Sequence, residues 1–332
     1  MSSIVYYISG HGFGHSVRSN QVIRALKRTR PELTIHVRTT APVWLFEDSV
    51  VHAGRALDVG IVQPNSLEMD LQATLEACQS LQQRLGAMVK EELAFVRQHE
   101  IKLVAGDIPP ACFEIAAKAG LPSVAITNFT WAAIYRAYLD AYPQFGPLID
   151  RMTDAYAKAS LALALPYPCD MDTFSKREDI GWVARASTLT RAQARSELAL
   201  PQSATLVLLS FGGLGLDSLA WRRLAECRNF FFLATGASAI ATGNLRVLPQ
   251  AQQQYQDLVR AADVIVSKPG YGIVADIIAH KVPILYTDRG HFAEYPRLVE
   301  ALNACATAEY IPQDDLLSGN LSPYLERLLA KE

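Results

Sequence analysis

The chain has 332 residues, half of them hydrophobic and 19% charged, which is material for two packed domains and excludes a disordered or low-complexity class. Lys and Arg number 31 against 33 Asp and Glu, a net charge of −2, with no basic run that would suit nucleic acid as a partner. No apolar run approaches the ~18 residues of a membrane span; the N-terminus opens on a strand without a charged leader and the five cysteines are scattered singly, so the expected setting is the cytoplasm, with reduced thiols.

Residues 4–9 (IVYYIS) make a near-continuous apolar run, the pattern of a buried parallel strand. The stretch GHGFGH follows, and Val17, Val22, Ile23 and Leu26 then recur at helical spacing, which puts His15 at the start of a helix. This is not a dinucleotide fingerprint, because the place of its third glycine is taken by His15. Strand-like runs come at 33–38 and 57–62, and a long helix is predicted from about 67 to 98. Residues 101–106 form the next strand and close on Asp107, after which a helix at 113–119 returns to a strand at 122–127. From 128 to 152 the composition turns aromatic; most of these rings are expected in the core, and the 128–131 loop, with Asn128 and Trp131, is where a ligand would be met.

A strand at 161–165 ends the first half, and the proline-bearing polar passage at 167–188 reads as a linker. The second half starts afresh with a buried strand at 205–211 that ends at Gly212 and Gly213. Strands at 230–234 and 245–248 and a helix at 251–262 lead to the stretch ADVIVSKPGYGIVADIIAHKVPILYTDRGHFAEYP, residues 262–296. An apolar β-branched run there reaches a Lys-Pro-Gly-Tyr-Gly turn, a helix at 273–280 and a second buried strand at 283–287. A glycine-rich turn opening a helix offers bare N–H groups and a positive dipole end, so a phosphate fits at this turn. A strand at 304–309 and a helix at 321–331 complete the chain.

The 262–296 stretch resembles the donor-binding segment of the GT-B glycosyltransferases, particularly the peptidoglycan N-acetylglucosaminyltransferase and the UDP-glycosyltransferases. The resemblance implies an α/β chain of two Rossmann-like parallel-sheet domains facing each other across a cleft, with boundaries at 1–166 and 189–318 and a terminal helix at 319–332 crossing back to the first domain. It also implies donor contacts from Gly212, Gly213, Lys268, Gly270, Tyr271 and Gly272, a ribose-binding acid at Asp276, and a sugar-facing loop of His291, Phe292 and Glu294. GHGFGHSVR resembles the first loop of the same family, where the matching His15 is the proposed general base, and it is similar to the glycosyltransferase-like region of plant arabinokinases. Asp107 matches the aspartate that orients that histidine, and His11, Gly14, Arg18, Asn128 and Trp131 are expected as acceptor-side or auxiliary residues.

Two features depart from the family: the long plant-type donor box is absent, and Glu294-Tyr295 stands where a Gln or Asp-Gln pair is expected. The expectation is an inverting, metal-independent transfer of a hexose from a nucleotide diphosphate sugar, UDP-linked by preference, to an acceptor hydroxyl, with no added cofactor. A hydrolase or epimerase on the same fold and a non-catalytic sugar-nucleotide-binding subunit are the alternatives. Peripheral membrane contact, acceptor and oligomeric state stay open.

Overall fold

The computed structural model describes residues 2–46, 50–65, 67–211, 219–236, 240–249 and 254–331. It divides into two compact units, one of Met1–Pro64, Met69–Val183 and Phe292–Arg297, the other of Asn65–Glu68, Ala184–His291 and Leu298–Glu332. Among the described residues each unit contains a sheet of seven strands.

The first unit runs β1 (Ser3–Ile8), α1 (Gly14–Thr29), β2 (Thr34–Arg38), β3 (Val51–Ala53), α2 (Leu71–Gln98), β4 (Ile101–Asp107), α3 (Ala111–Ala119), β5 (Ser123–Thr127), α4 (Trp131–Arg136), α5 (Gly146–Tyr156), β6 (Leu161–Ala164) and β7 (Arg177–Asp179). Its strands are all parallel, in the order β3-β2-β1-β4-β5-β6-β7. Strand β1 shows why a continuous apolar run was needed. Side chains alternate across a strand, so Val5 and Tyr7 enter the core on one face of the sheet while Ile4, Tyr6 and Ile8 enter the core on the other.

The second unit runs α6 (Arg191–Glu197), β8 (Leu206–Ser210), α7 (Trp221–Glu226), β9 (Phe231–Gly236), β10 (Ile240–Thr242), β11 (Leu245–Pro249), α8 (Tyr255–Ala261), β12 (Val264–Ser267), α9 (Tyr271–His280), β13 (Ile284–Tyr286), α10 (Tyr295–Cys305), β14 (Ala308–Tyr310), α11 (Gln313–Leu317) and α12 (Ser322–Leu329). Its order is β10-β11-β9-β8-β12-β13-β14, parallel except for the β10/β11 hairpin. Both sheets reverse their order next to the first strand of the unit, at β1/β4 and at β8/β12. Open α/β sheets hold ligands outside the carboxyl ends of the strands at such a switch point.

Several expected boundaries move. The run at 57–62 is not a strand: Gly60 sits at φ 71°, where a Cβ would meet the His11 ring at 2.6 Å, so the backbone bends there and buries Leu57 and Ile61 outside the sheet. Helix α2 starts later than its apolar pattern, because the Asp70 side chain accepts from Ala73 N at 2.8 Å and caps it. Of the passage read as a linker, residues up to Val183 belong to the first unit, with β7 paired to β6. The terminal helix α12 buries Leu325 and Leu328 in the second unit's core. Gly212 and Gly213 lie outside the described residues.

Helix α3 packs closely on β4. A Cβ at Gly106 would lie 2.5 Å from Cys112 Sγ and 2.9 Å from Phe113 Cζ, both residues being fully buried. Gly106→Ala is therefore expected to destabilise the first unit by about 1–3 kcal/mol, the usual scale of overpacking, read as a lower denaturation midpoint at unchanged slope.

Candidate active site

The glycine-rich loop after β1 makes its turn at Gly12, φ 63°, a backbone conformation that suits glycine, and α1 then begins at Gly14. This places His15 and Arg18 one turn apart on the same face of α1. Strand β1 pairs with β4 in a register that sets Ile8 beside Asp107, and β5 is the next strand over. The carboxyl ends of three strands thus bring together the β1 loop, Asp107 and Asn128.

His15 Nδ1 lies 2.7 Å from Asp107 Oδ1. Arg18 grips the same carboxylate with both arms of its fork, Nε donating to Oδ2 at 2.7 Å and Nη2 to Oδ1 at 2.5 Å, and Ser19 Oγ donates to Oδ2 at 2.9 Å. An ionised carboxylate only accepts, so the His15 proton sits on Nδ1 and the lone pair on Nε2. Arg18 Nη2 is 3.1 Å from His15 Nδ1; two N–H groups do not bond each other, and Asp107 Oδ1 holds both. Asp107 is fully buried, which would push its carboxyl up, but the charges and hydrogen bonds of Arg18 and His15 outweigh burial and hold it at about 2.

The network continues inward. Arg18 Nη1 donates to Asn128 Oδ1 at 2.6 Å, and Asn128 Nδ2 donates to Glu294 Oε1 at 2.7 Å. Aromatic rings wall the histidine, with Phe129 at 5.5 Å edge-on and Trp131 at 5.9 Å, and Trp131 also meets the His11 ring at 5.3 Å. Trp131 Nε1 donates to Asp58 Oδ2 at 2.8 Å. Burial raises the Asp58 carboxyl against the lowering effect of its Ser9 and Trp131 hydrogen bonds.

The second unit carries its own cluster at β8/β12. Ser267 Oγ donates toward Ser210 O at 2.5 Å and lies 2.9 Å from Lys268 O. Gly270 is the N-cap of α9 and brings no side chain to it; the first intrahelical bond is Val274 N to Gly270 O at 3.0 Å. The N–H groups of Tyr271, Gly272 and Ile273 therefore face the end of the helix, where the dipole favours an anion. Asp276 is 1% exposed. Its Oδ1 accepts from Arg185 N at 2.8 Å and its Oδ2 from Arg185 Nε at 2.8 Å, with Arg185 Nη2 closing the ion pair. The Arg185 guanidinium lies 4.0 Å above the Tyr255 ring.

The structure divides the residues singled out from sequence. His15, Asp107, Arg18 and Asn128 meet in one buried cluster, Gly14 is exposed at the start of α1, and Asn128 and Trp131 are interior residues with 0% exposure, Trp131 packing on the His15 ring and Asn128 accepting from Arg18. Lys268 and Gly270 lie between β12 and α9, and Tyr271 and Gly272 open α9. The loop expected to face the sugar is split: His291 is exposed and belongs to the second unit, whereas Phe292 and Glu294 are buried in the first. Sequence reading missed Asp58, Arg185 and Tyr255; none of them lies in a motif, and all three act across long separations. Among the described residues no three His, Cys, Asp or Glu side chains gather as for a metal ion, and no helix is long and apolar enough to cross a membrane.

Comparison with solved structures shows the GT-B fold. Phytolacca americana UGT2 complexed with UDP-2fluoro-glucose and pterostilbene is 13% identical at a TM-score of 0.60, over 96% of this chain and 88% of that one. MurG of Acinetobacter baumannii is 15% identical at 0.56, over 99% and 91%, and Arabidopsis thaliana UGT89C1 complexed with UDP-L-rhamnose is 14% identical at 0.61, over 96% and 89%. Residues 2–305 match the family described as Glycosyl transferase family 1, and the chain belongs to that family. L-arabinokinase of Arabidopsis thaliana is 30% identical over 336 residues, which are 98% of this chain and 32% of that protein. The chain thus spans about a third of that relative's length.

Proposed function

We propose that the protein transfers a hexose from a nucleotide diphosphate sugar, with UDP as the favoured nucleotide, to an acceptor hydroxyl, with inversion and without a metal ion. The observation that carries this reading is the buried contact of His15 with Asp107. Asp107 fixes the tautomer, so Nε2 takes the acceptor proton while the acceptor oxygen attacks the anomeric carbon and the bond to the diphosphate breaks on the opposite face. The 268–272 turn and the N–H groups opening α9 would take up the charge of the leaving diphosphate. A carboxylate has about four acceptor positions; Arg185 occupies three on Asp276, and the remaining one on Oδ1 is proposed for a ribose hydroxyl. His291, exposed in the loop after β13, is proposed to face the sugar. The setting proposed for this reaction is the cytoplasm.

Calorimetry with UDP-, dTDP- and GDP-sugars tests the donor. Saturable binding, strongest for UDP, is expected, and Asp276→Ala should weaken it by about 1–3 kcal/mol, the cost of leaving polar groups unpaired. Because Asp276 also anchors Arg185, melting of the same variant separates lost contact from lost structure. No binding to any nucleotide would reject the reading. A non-catalytic sugar-nucleotide-binding role is the second reading, favoured by a relative named for a kinase and not a glycosyltransferase; it keeps nucleotide binding and predicts no change on loss of His15 in any product assay.

A further inference from the structure

Resting on that reading, we propose that Glu294 is a positioning residue for His15, acting through Asn128 and Arg18 to supply the negative charge that balances the imidazolium formed during transfer.

The chain of contacts is continuous. Glu294 Oε1 accepts from Asn128 Nδ2 at 2.7 Å, Asn128 Oδ1 accepts from Arg18 Nη1 at 2.6 Å, Arg18 spans both oxygens of Asp107, and Asp107 Oδ1 holds His15 Nδ1 at 2.7 Å. All five are interior: His15 is 6% exposed, Arg18 4%, Glu294 3%, and Asp107 and Asn128 0%. The amide is polarised along the chain, its oxygen toward the guanidinium and its NH2 toward the carboxylate. Reversing it would set donor against donor at Arg18 and acceptor against acceptor at Glu294.

Charge explains why the chain extends beyond Asp107. In a histidine/aspartate pair the carboxylate stabilises the imidazolium, but here the Arg18 guanidinium already engages both oxygens of Asp107. A proton gained by His15 would create a second cation 3.1 Å from Arg18 Nη2, with one carboxylate for two positive groups. Glu294 adds a second carboxylate to this buried chain. Asp58 is a further acid whose charge is coupled to His15, and burial raises its carboxyl. The charged and titratable neighbours of Glu294 include Cys169, whose thiol is pushed up to about 12 by burial and then by the Glu294 charge, and Arg297, exposed one turn along α10.

NMR titration of the His15 ring in the full chain tests the assignment without an acceptor in hand. A nearby negative charge favours the imidazolium, so Glu294→Gln, which keeps the shape and the Asn128 bond, should lower the His15 midpoint by about 0.5–1 pH unit. Glu294→Asp, which keeps the charge, should restore the midpoint to within a few tenths of wild type. A merely structural Glu294 would alter melting and leave the midpoint in place. An unmoved midpoint in a folded Glu294→Gln protein, or equal shifts in both variants, overturns the proposal. Because the readout is a proton on His15, failure here is distinct from failure of nucleotide binding, which would reject the transferase reading instead.

Discussion

Replacing His15 with alanine is expected to lower turnover by about a hundredfold or more, the scale of general base catalysis, while donor affinity stays within about twofold. The separation follows from which unit holds which groups: His15 and Asp107 belong to the first, whereas the 268–272 turn and Asp276 belong to the second. Loss of an interaction made only as the acceptor proton moves lowers kcat and kcat/KM together. Asp107→Asn should cost less than His15→Ala, since the imidazole remains, and the double variant should fall short of additivity because the two side chains act as one unit. Steady-state kinetics on the three variants checks this. Full activity in His15→Ala would move the base role to His11, whose ring also packs against Trp131 at 5.3 Å.

Arg18→Met is expected to destabilise the protein by about 3–5 kcal/mol at pH 7, more than any surface substitution, because it leaves a buried carboxylate uncompensated. In the native protein Asp107 is held at about 2, below its ordinary 3.8, so the unfolded chain binds its proton more readily. The stability this contributes is fully present above about pH 4 and drains away as pH falls toward 2. Without Arg18 the buried carboxyl is pushed up instead, and the variant should recover part of its deficit in acid. Urea unfolding at pH 7 and pH 3 measures both effects. A loss at pH 7 under about 1 kcal/mol, the scale of an exposed pair, would show that the guanidinium and Asp107 are not joined.

Much of this could be read from residues adjacent in the chain. The runs at β1, β8 and β12 are apolar almost throughout because a parallel sheet covered on both faces buries both sets of alternating side chains, and their burial follows that pattern, whereas β4 carries the exposed Lys102 near its start. The GHGFGH loop announced a turn opening a helix, and the strand-end position of Asp107 announced a side chain at the same rim as His15. Strand order, fixed by hydrogen-bond register, then set that rim at β1/β4.

The partners of these residues were not readable in the same way. Arg18 stands 89 residues from Asp107, Arg185 stands 91 from Asp276, and Asn128 stands 166 from Glu294. A local pattern reports period and turn chemistry, and says nothing of which buried charge faces which. That is why Asp276 looked like an open acid and Glu294 like part of one loop with His291. The sequence by itself determined two βα-repeating units, their glycine turns, and the histidine and aspartate at the first rim. Only the tertiary structure decided that Arg18 engages Asp107, that Arg185 covers Asp276, and that Glu294 lies with Asn128, because a buried charge must be met by an opposite charge or a hydrogen-bond donor and packing alone determines which one is within reach.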